Sequence, residues 1–426
     1  MRYETPAVVM AGASWRVGTA LGVARTLGRA GVPVYGVLEM PGSPLSRSRY
    51  VRDVVTAADT SDDAIVEALH QRAKTLPKPI ALFPTSDKHV VLLAKRGDEL
   101  EAEYVWSRNS LETIERCTDK GKAGALVQSL GIRAPATMSV GSTAELEALA
   151  ANVSKPWIVK PASHCVMRDD HLERARMGDY LRAKALLVHD IDQLRRILEQ
   201  AEGVQESLLV QEFIPGDDTQ VYAPVCYVRP SGVSPVFVFQ KLRQSPPGFG
   251  FGCHTVSVPD WHEDANLAEA AEMTVRFAQG AGFQGICGLE WKRHADNGLY
   301  YFIEANARII QFNVLWAPAG CNLVLWSYVE LTQGPQGEPP EPINVRRYYY
   351  YDELADPRSY AATYRGRGPW WLSYRRSLGR PLEGAFYARD DPLPGLFAIG
   401  RDVSETVGRK VRRLLGLRSN NVPANT

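Results

Sequence analysis

A chain of 426 residues is longer than one hydrophobic core usually serves, so two or three packed domains are expected. With 45% apolar and 23% charged residues it has the composition of a soluble globular protein. Its 49 basic and 48 acidic side chains give a formal net charge of +1, which excludes a global field able to draw in nucleic acid or an anionic bilayer, so any anion site must be local.

The six cysteines (Cys117, Cys165, Cys226, Cys253, Cys287, Cys321) are scattered, with no CxxC pair and no histidines at zinc spacing, as expected for reduced thiols in a cytoplasmic protein. The opening MRYETPAVVMAGAS lacks the features of a signal peptide, and no apolar run has the length of a transmembrane segment.

In chain order, AVVMAG (7–12) reads as a strand, Gly18 to Arg29 as a helix and Val32 to Val37 as a second strand, a βαβ opening. Asp62 to Ala73 reads as a helix, Ile80 to Pro84 as a short buried strand and His89 to Lys95 as a helix. This alternation predicts a doubly wound parallel first domain over residues 1–115. At CTDKGKAGALVQSLGI, Thr118 or Asp119 caps a helix with apolar positions Ala123, Leu126, Val127 and Leu130, ended by Gly131.

A strand at Trp157 to Val159, a polar stretch from Ser163 to Leu181, a strand at Ala185 to His189 and a helix from Asp192 to Glu202 predict a small α+β lid over about 150–212. Strands between Leu208 and Phe239, a Pro/Gly-rich loop, a helix from Asn266 to Gly280 and the strands Gly285 to Trp291 and Leu299 to Glu304 complete a second domain over 116–342. After PQGEPPEP, residues 343–426 form a C-terminal extension rich in Arg, Tyr and Trp.

The pair Glu290 (GICGLEWKR) and Glu304 (YYFIEANARIIQFN) carries the most information. Each acid sits amid apolar neighbours on a predicted hairpin strand, and burying a carboxylate without a cation costs several kcal/mol. With Asn306 on the same face as Glu304, they make a hard oxygen cluster suited to Mg²⁺. Surface glutamates salt-bridged to Arg293 and Arg308 would produce the same pattern.

The segment Glu-x-Asn-x-Arg on a strand resembles the metal-binding strand of ATP-grasp ligases, and the family's other parts follow in order. The resemblance implies an ATP-grasp fold, α/β and α+β, with a doubly wound pre-ATP-grasp domain and a lid. It also implies that ATP and Mg²⁺, or Mn²⁺ in its place, are bound. Lys120, which opens a helix after Asp119, Lys160 in PWIVKPAS and Lys184 in RAKALLV would meet the phosphates. In LLVQEFIPGDDTQVYA, backbone groups of Glu212 and Ile214 would pair with the adenine edge, and Asp218, with Asp217 close behind, would take the ribose hydroxyls.

Lys241 and Arg243 in FVFQKLRQSPPGFGFG are placed to stabilise the γ-phosphate and an acyl phosphate. Arg308, at the same strand parity as Glu304 and Asn306, would reach the transferring phosphoryl group or the substrate carboxylate, with a salt bridge to Glu290 as the plainer role. The implied activity is ligation of a small carboxylate to a small amine through an acyl phosphate.

The KLRQ segment and its Pro/Gly/Phe loop are similar to carboxylate-amine ligases of the D-aspartate ligase-like type. Two features depart from the family. Residues 161–183 lack the glycine run of many members, with Ser163, His164 or Arg168 as substitutes, and Gly288 stands where some amino-acid ligases have an arginine.

Two other classes stay open. MAGASWRVGTALG followed by Glu39 suggests an NAD(P)-dependent oxidoreductase, although the glycine spacing does not match GxGxxG. A catalytically silent ATP-binding protein is the other. The stretch RDVSETVGRKVRRLLGLR reads as a basic amphipathic helix able to touch a membrane surface or a partner, and a homodimer stays open.

Overall fold

Strand β1 (Ala7–Ala11) is buried at every position, as a central parallel strand covered on both faces must be. The structure is a computed structural model that describes residues 3–14, 18–161, 185–201, 208–335, 346–364 and 370–414. Strand β1 pairs in parallel with β2 (Val34–Leu38) on one side and β4 (Ile80–Phe83) on the other. The edges are β3 (Val51–Thr56) and β5 (Tyr104–Val105), giving the order β3-β2-β1-β4-β5.

Alternation along β1 divides the two faces. Ala7 and Val9 pack with helix α1 (Thr19–Arg29), while Val8 and Met10 pack with α2 (Asp62–Ala73) and α3 (Asp87–Arg96). This is the doubly wound unit read from the sequence. Ser61 and Ser86 cap α2 and α3 by accepting from Ala64 and His89 amides.

Helices α4 (Leu111–Thr118) and α5 (Lys120–Ser129) follow, and Asp119 supplies the cap of α5 by accepting from the Lys122 amide. A four-stranded antiparallel sheet comes next: β6 (Thr137–Val140), β7 (Trp157–Pro161), β8 (Leu186–Val188) and β9 (Leu208–Glu212), ordered β6-β9-β7-β8. Its Trp157, Val159, Leu208 and Val210 bury against α6 (Leu146–Asn152) and α7 (Ile191–Ala201) in a separate core.

The largest sheet runs β15-β14-β10-β12-β13-β16-β17, with β11 (Gly232–Val233) alongside β10 (Val221–Arg229). Strands β12 (Phe237–Ser245), β13 (Phe251–Ser257), β14 (Gly285–Arg293) and β15 (Tyr300–Asn306) are joined antiparallel, and α8 (Ala265–Ala281) covers one face. The opposite face, through Ala223, Val225, Phe237 and Phe239, shares a core with Ala7 and Val9 of the first sheet, Leu21 of α1 and Leu323 and Tyr328 of α9 (Leu323–Gln333). Gly22 makes that approach possible: a Cβ there would lie 2.4 Å from Asn313 Oδ1, and Asn313 donates to Thr19 O at 3.1 Å.

The C-terminal segment is woven into this body. Strand β16 (Tyr349–Tyr351) extends the large sheet beside β13, and β17 (Leu382–Gly384) pairs with it in parallel. Tyr350 and Phe386 lie in the shared core. Among the described residues no helix is long and apolar enough to cross a membrane.

Arg25, fully buried on α1, donates to Asp391 Oδ2 at 3.0 Å and to the carbonyls of Phe386 and Asp391. Asp391 also accepts from Ser48 Oγ and the Arg49 amide. Removing one partner of a buried pair strands the other charge, so Asp391→Ala should lower unfolding free energy by about 3–5 kcal/mol in urea titrations. A loss under about 1 kcal/mol would mean that the pair does not anchor the C-terminal segment.

Candidate active site

The register of β14 and β15 places Glu290 directly opposite Glu304 and Gly288 opposite Asn306. The next pair is Trp291 with Phe302, so Ile303 is an extra residue in β15. This irregularity resolves a parity conflict: Phe302 and Ala305 both point into the core with Leu289 and Trp291, while Glu304 and Asn306 point to the opposite face. Two carboxylates and an amide therefore share one face.

Lys241 lies on that face. It follows Phe237 and Phe239 at alternate positions of β12, is 2% exposed, and its Nζ sits 2.7 Å from Glu290 Oε2 and 3.3 Å from Gln244 Oε1. The contact with Gln244 depends on another irregularity. Lys241 pairs with Thr255, Arg243 with His254 and Gln244 with Gly252, which brings Gln244 to the side of Lys241 and turns Arg243 away.

Arg243 is accordingly a correction to the sequence expectation. Its Nε and Nη2 donate to the two oxygens of the fully buried Asp356 at 2.6 and 2.8 Å, and its guanidinium lies over the rings of Tyr360 and Tyr374. Burial opposes the charge, but Asp356 holds the Arg243 pKa above its usual value. A guanidinium so committed joins β12 to helix α10 (Asp356–Tyr364) and is not turned toward the two glutamates.

Asp218 is corrected in the same way. It accepts from the Gln244 amide, from Gln244 Nε2 and from the Gly248 amide, all at 2.9 Å, so it braces the β12–β13 turn rather than offering free oxygens to a ribose. Asp217 accepts from the Thr219 amide and hydroxyl.

Lys292 was missed by the sequence reading, yet it lies two residues after Glu290 and so on the same face. It is 9% exposed, and its Nζ donates to the carbonyls of Gly216 and Asp217 at 2.8 and 2.5 Å. Burial pulls its pKa down to about 8, with the nearby Lys241 adding to the effect and Asp218 and Asp217 opposing it.

On the four-stranded sheet, Lys160 faces away from that sheet's core, with Nζ 3.1 Å from Gln211 Oε1. The Glu212 amide donates to Ala136 O and the Phe213 amide to Pro156 O, so only the carbonyl of Glu212 can serve an adenine edge, contrary to its expected full backbone role. Ile214 is buried beside it. Lys120 stands half-buried at the first position of α5. Lys184, Ser163, His164, Arg168 and Cys165 lie outside the described residues.

Strand β15 ends at Asn306, so Arg308 is not on the strand, and its partner is not Glu290. Its Nε donates to Asp87 Oδ1 at 2.8 Å, at the start of α3 in the first domain. Burial works to lower its pKa, but Asp87, Glu304 and Glu290 together raise it, so the guanidinium stays charged within the field of both acids.

Among the described residues, no group of three or more His, Cys, Asp or Glu could hold a metal ion. Mg²⁺ is commonly held by one or two carboxylates and completed by phosphates and water, so Glu290, Glu304 and the Asn306 amide oxygen fit its needs. The acid expected for an NAD(P) site does not fit. Glu39 is 4% exposed and accepts from His89 Nε2 at 2.7 Å and Lys88 Nζ at 3.3 Å. His89 Nδ1 faces the Thr85 amide at 3.2 Å, which puts the proton on Nε2 and makes Glu39 an internal strut.

The placement of Arg243 predicts that Arg243→Ala lowers unfolding free energy by about 3–5 kcal/mol, since Asp356 is left buried without its cation. Full stability combined with lost turnover would return Arg243 to the chemistry.

No family model matches the chain. The N-terminal section of the carbamoyl phosphate synthase large chain from Methanopyrus kandleri is 23% identical over 284 residues, which take in 62% of this chain but only 46% of that relative. The chain thus spans about half the length of the curated relative it matches. Among solved structures, the L-amino acid ligase from Bacillus licheniformis aligns with a TM-score of 0.59 at 17% identity, covering 82% of this chain and 79% of the ligase. The biotin carboxylase domain of Hydrogenobacter thermophilus 2-oxoglutarate carboxylase, solved as a dimer with MgADP, ADP and bicarbonate, aligns with a TM-score of 0.59 at 14% identity, covering 82% and 74% of the two chains. With its parallel first sheet, four-stranded antiparallel sheet and large mixed sheet, the chain has the ATP-grasp fold.

Proposed function

We propose that the protein is an ATP-dependent ligase. A small donor carboxylate attacks the γ-phosphorus of ATP and ADP departs. An amine then attacks the acyl carbon of the acyl phosphate and expels phosphate, leaving an amide and no bond to the protein. The observation that carries this proposal is the Glu290–Glu304 pair, facing each other across adjacent strands with Lys241 and Arg308 beside them.

Glu290, Glu304 and the Asn306 amide oxygen would hold Mg²⁺, or Mn²⁺ through the same oxygen donors, which would supply positive charge to the nucleotide phosphates. Lys241 compensates Glu290 and keeps a cation at the floor of the site. Arg308 reaches the transferring phosphoryl group or the donor carboxylate, and it is positioned by Asp87 through Nε and by the Ile309 carbonyl, 3.5 Å from Nη1. Lys160 takes the phosphates from the side of the four-stranded sheet, and Lys120 and Lys184 are assigned the same partner. Ile214 and the Glu212 carbonyl border the adenine. Lys292 fixes the Gly216–Asp217 hinge by its two carbonyl bonds.

The neighbours solved with MgADP or named as an amino acid ligase support this chemistry by analogy of fold. Screening amino acids and hydroxy acids in pairs should reveal ADP release that requires both a carboxylate and an amine. Glu304→Ala should abolish that turnover, by at least about 10³-fold, with thermal unfolding unchanged, and Lys160→Ala should weaken ATP binding at least about tenfold. Turnover surviving Glu304→Ala would remove this residue from the mechanism, and tryptophan quenching by NADPH but not by ATP with Mg²⁺ would favour the oxidoreductase class.

A further inference from the structure

Helix α11 (Trp370–Ser377) is held to the body from the side of Tyr374. The Tyr374 hydroxyl donates to Asp356 Oδ2 at 2.9 Å, and its ring meets that of Tyr360 edge-on at 5.3 Å. At about 100° per residue, Trp371, Leu372, Arg375 and Arg376 fall within an arc of about 140°, centred opposite Tyr374 and Ser377. All four are exposed, Trp371 by 59% and Leu372 by 60%, and Arg380 is exposed just beyond the helix.

The charge on this face is unbalanced. Residues 371–380 contain three arginines and no acid, and among the described residues no carboxylate pairs with Arg375, Arg376 or Arg380. Elsewhere the chain supplies such a partner within four residues: Arg96 pairs with Glu99, Arg116 with Glu112 and Arg195 with Asp192. Large exposed apolar side chains and uncompensated guanidinium groups therefore share one side of α11.

This mixture selects the occupant. A helix that lies in a membrane interface keeps its apolar and charged residues on opposite faces, whereas here they alternate on the same one. A nucleic acid, with one charge for about every 1.7 Å of duplex, calls for an extended basic track, and α11 is only about 12 Å long. The chain as a whole has a net charge of just +1, so no wider field adds to it. Tryptophan beside arginine is instead the pairing that anchors protein interfaces: the ring supplies buried area, and the guanidinium fork takes a carboxylate through two parallel bonds. The structure holds one such fork beneath the helix, where Arg243 grips Asp356.

We infer that the outer face of α11 is a docking surface for an acidic polypeptide, whose carboxylates pair with Arg375, Arg376 and Arg380 and whose apolar side chains cover Trp371 and Leu372. Tyr374 and Asp356 join this surface to Arg243 of β12, and Ser359 of α10 donates to the Gln244 carbonyl. A docked partner is thus one helix away from the strand that carries Lys241.

The test is fluorescence anisotropy of the full chain with a labelled peptide of mixed glutamate and leucine, and with its counterpart carrying glutamine at every glutamate. The acidic peptide should bind at least about tenfold more tightly than the glutamine peptide. Its affinity should fall at least about tenfold in Arg375→Glu/Arg376→Glu and severalfold in Trp371→Ala/Leu372→Ala, with thermal unfolding of both variants unchanged, while Arg116→Glu on α4 should leave it as it is. Equal affinity for the two peptides, binding of neither, or indifference to the α11 substitutions would overturn the inference. So would tighter binding of polyuridylate or of phosphatidylglycerol vesicles that Arg375→Glu/Arg376→Glu abolishes, because the face would then serve phosphates. A dimer in sedimentation velocity that Leu372→Asp dissolves would overturn it too, since a second copy would then cover the face.

Discussion

Two like charges set directly opposite each other on neighbouring antiparallel strands destabilise a sheet, and Glu290 and Glu304 are so placed on a half-buried face. The arrangement persists only where cations are supplied. Lys241 gives one at 2.7 Å from Glu290, and Arg308 lies in the field of both acids. Much of the surrounding architecture serves to place those two cations. The irregular pairing of β12 with β13 brings Gln244 beside Lys241, and Asp218 ties Gln244 to the turn behind it. Asp87 reaches across from the first domain to fix Arg308, and the close approach at Gly22 holds the segment after Arg308 against α1.

The C-terminal segment belongs to the same construction. Asp356 withdraws Arg243 from the site by a bidentate pair, and Asp391 satisfies a buried arginine of α1. Both are ion pairs whose value comes from leaving no buried charge alone, so they lock the segment's position more than they add net stability. On the last helix (Leu393–Leu414), Arg401 and Asp402 turn inward, to Gly42 O and Arg358, while Leu396, Val403 and Val407 stay exposed.

The sequence exposed the parts governed by regular periodicity. The βαβ opening, the cap at Asp119 and the parity that joins Glu304 to Asn306 follow from spacings that the structure keeps. Lys292 was equally legible, two residues from Glu290, and was passed over. What failed were inferences that crossed an irregularity. Parity groups Lys241 with Arg243 and Arg308 with Glu304, but the shifted register in β12 and the end of β15 at Asn306 break both pairings. Asp218 failed for another reason: a carboxylate after Pro-Gly looks free in sequence, and only the fold shows three donors converging on it. Strand β3 escaped notice because an edge strand with exposed Arg52 and Asp53 lacks the apolar run of its neighbours. The helical period of RDVSETVGRKVRRLLGLR was readable, but no periodicity tells which side of a helix faces the protein.

If the opposed glutamates create the nucleotide site by holding its metal, removing their charge must uncouple ATP binding from Mg²⁺. Calorimetric titration of ATP into the wild type and into the Glu290→Gln/Glu304→Gln double variant, with Mg²⁺ and with the metal chelated, tests it most directly. The expected result is that Mg²⁺ strengthens ATP binding at least about tenfold in the wild type and has no such effect in the variant. An equal gain from Mg²⁺ in both proteins would contradict the claim.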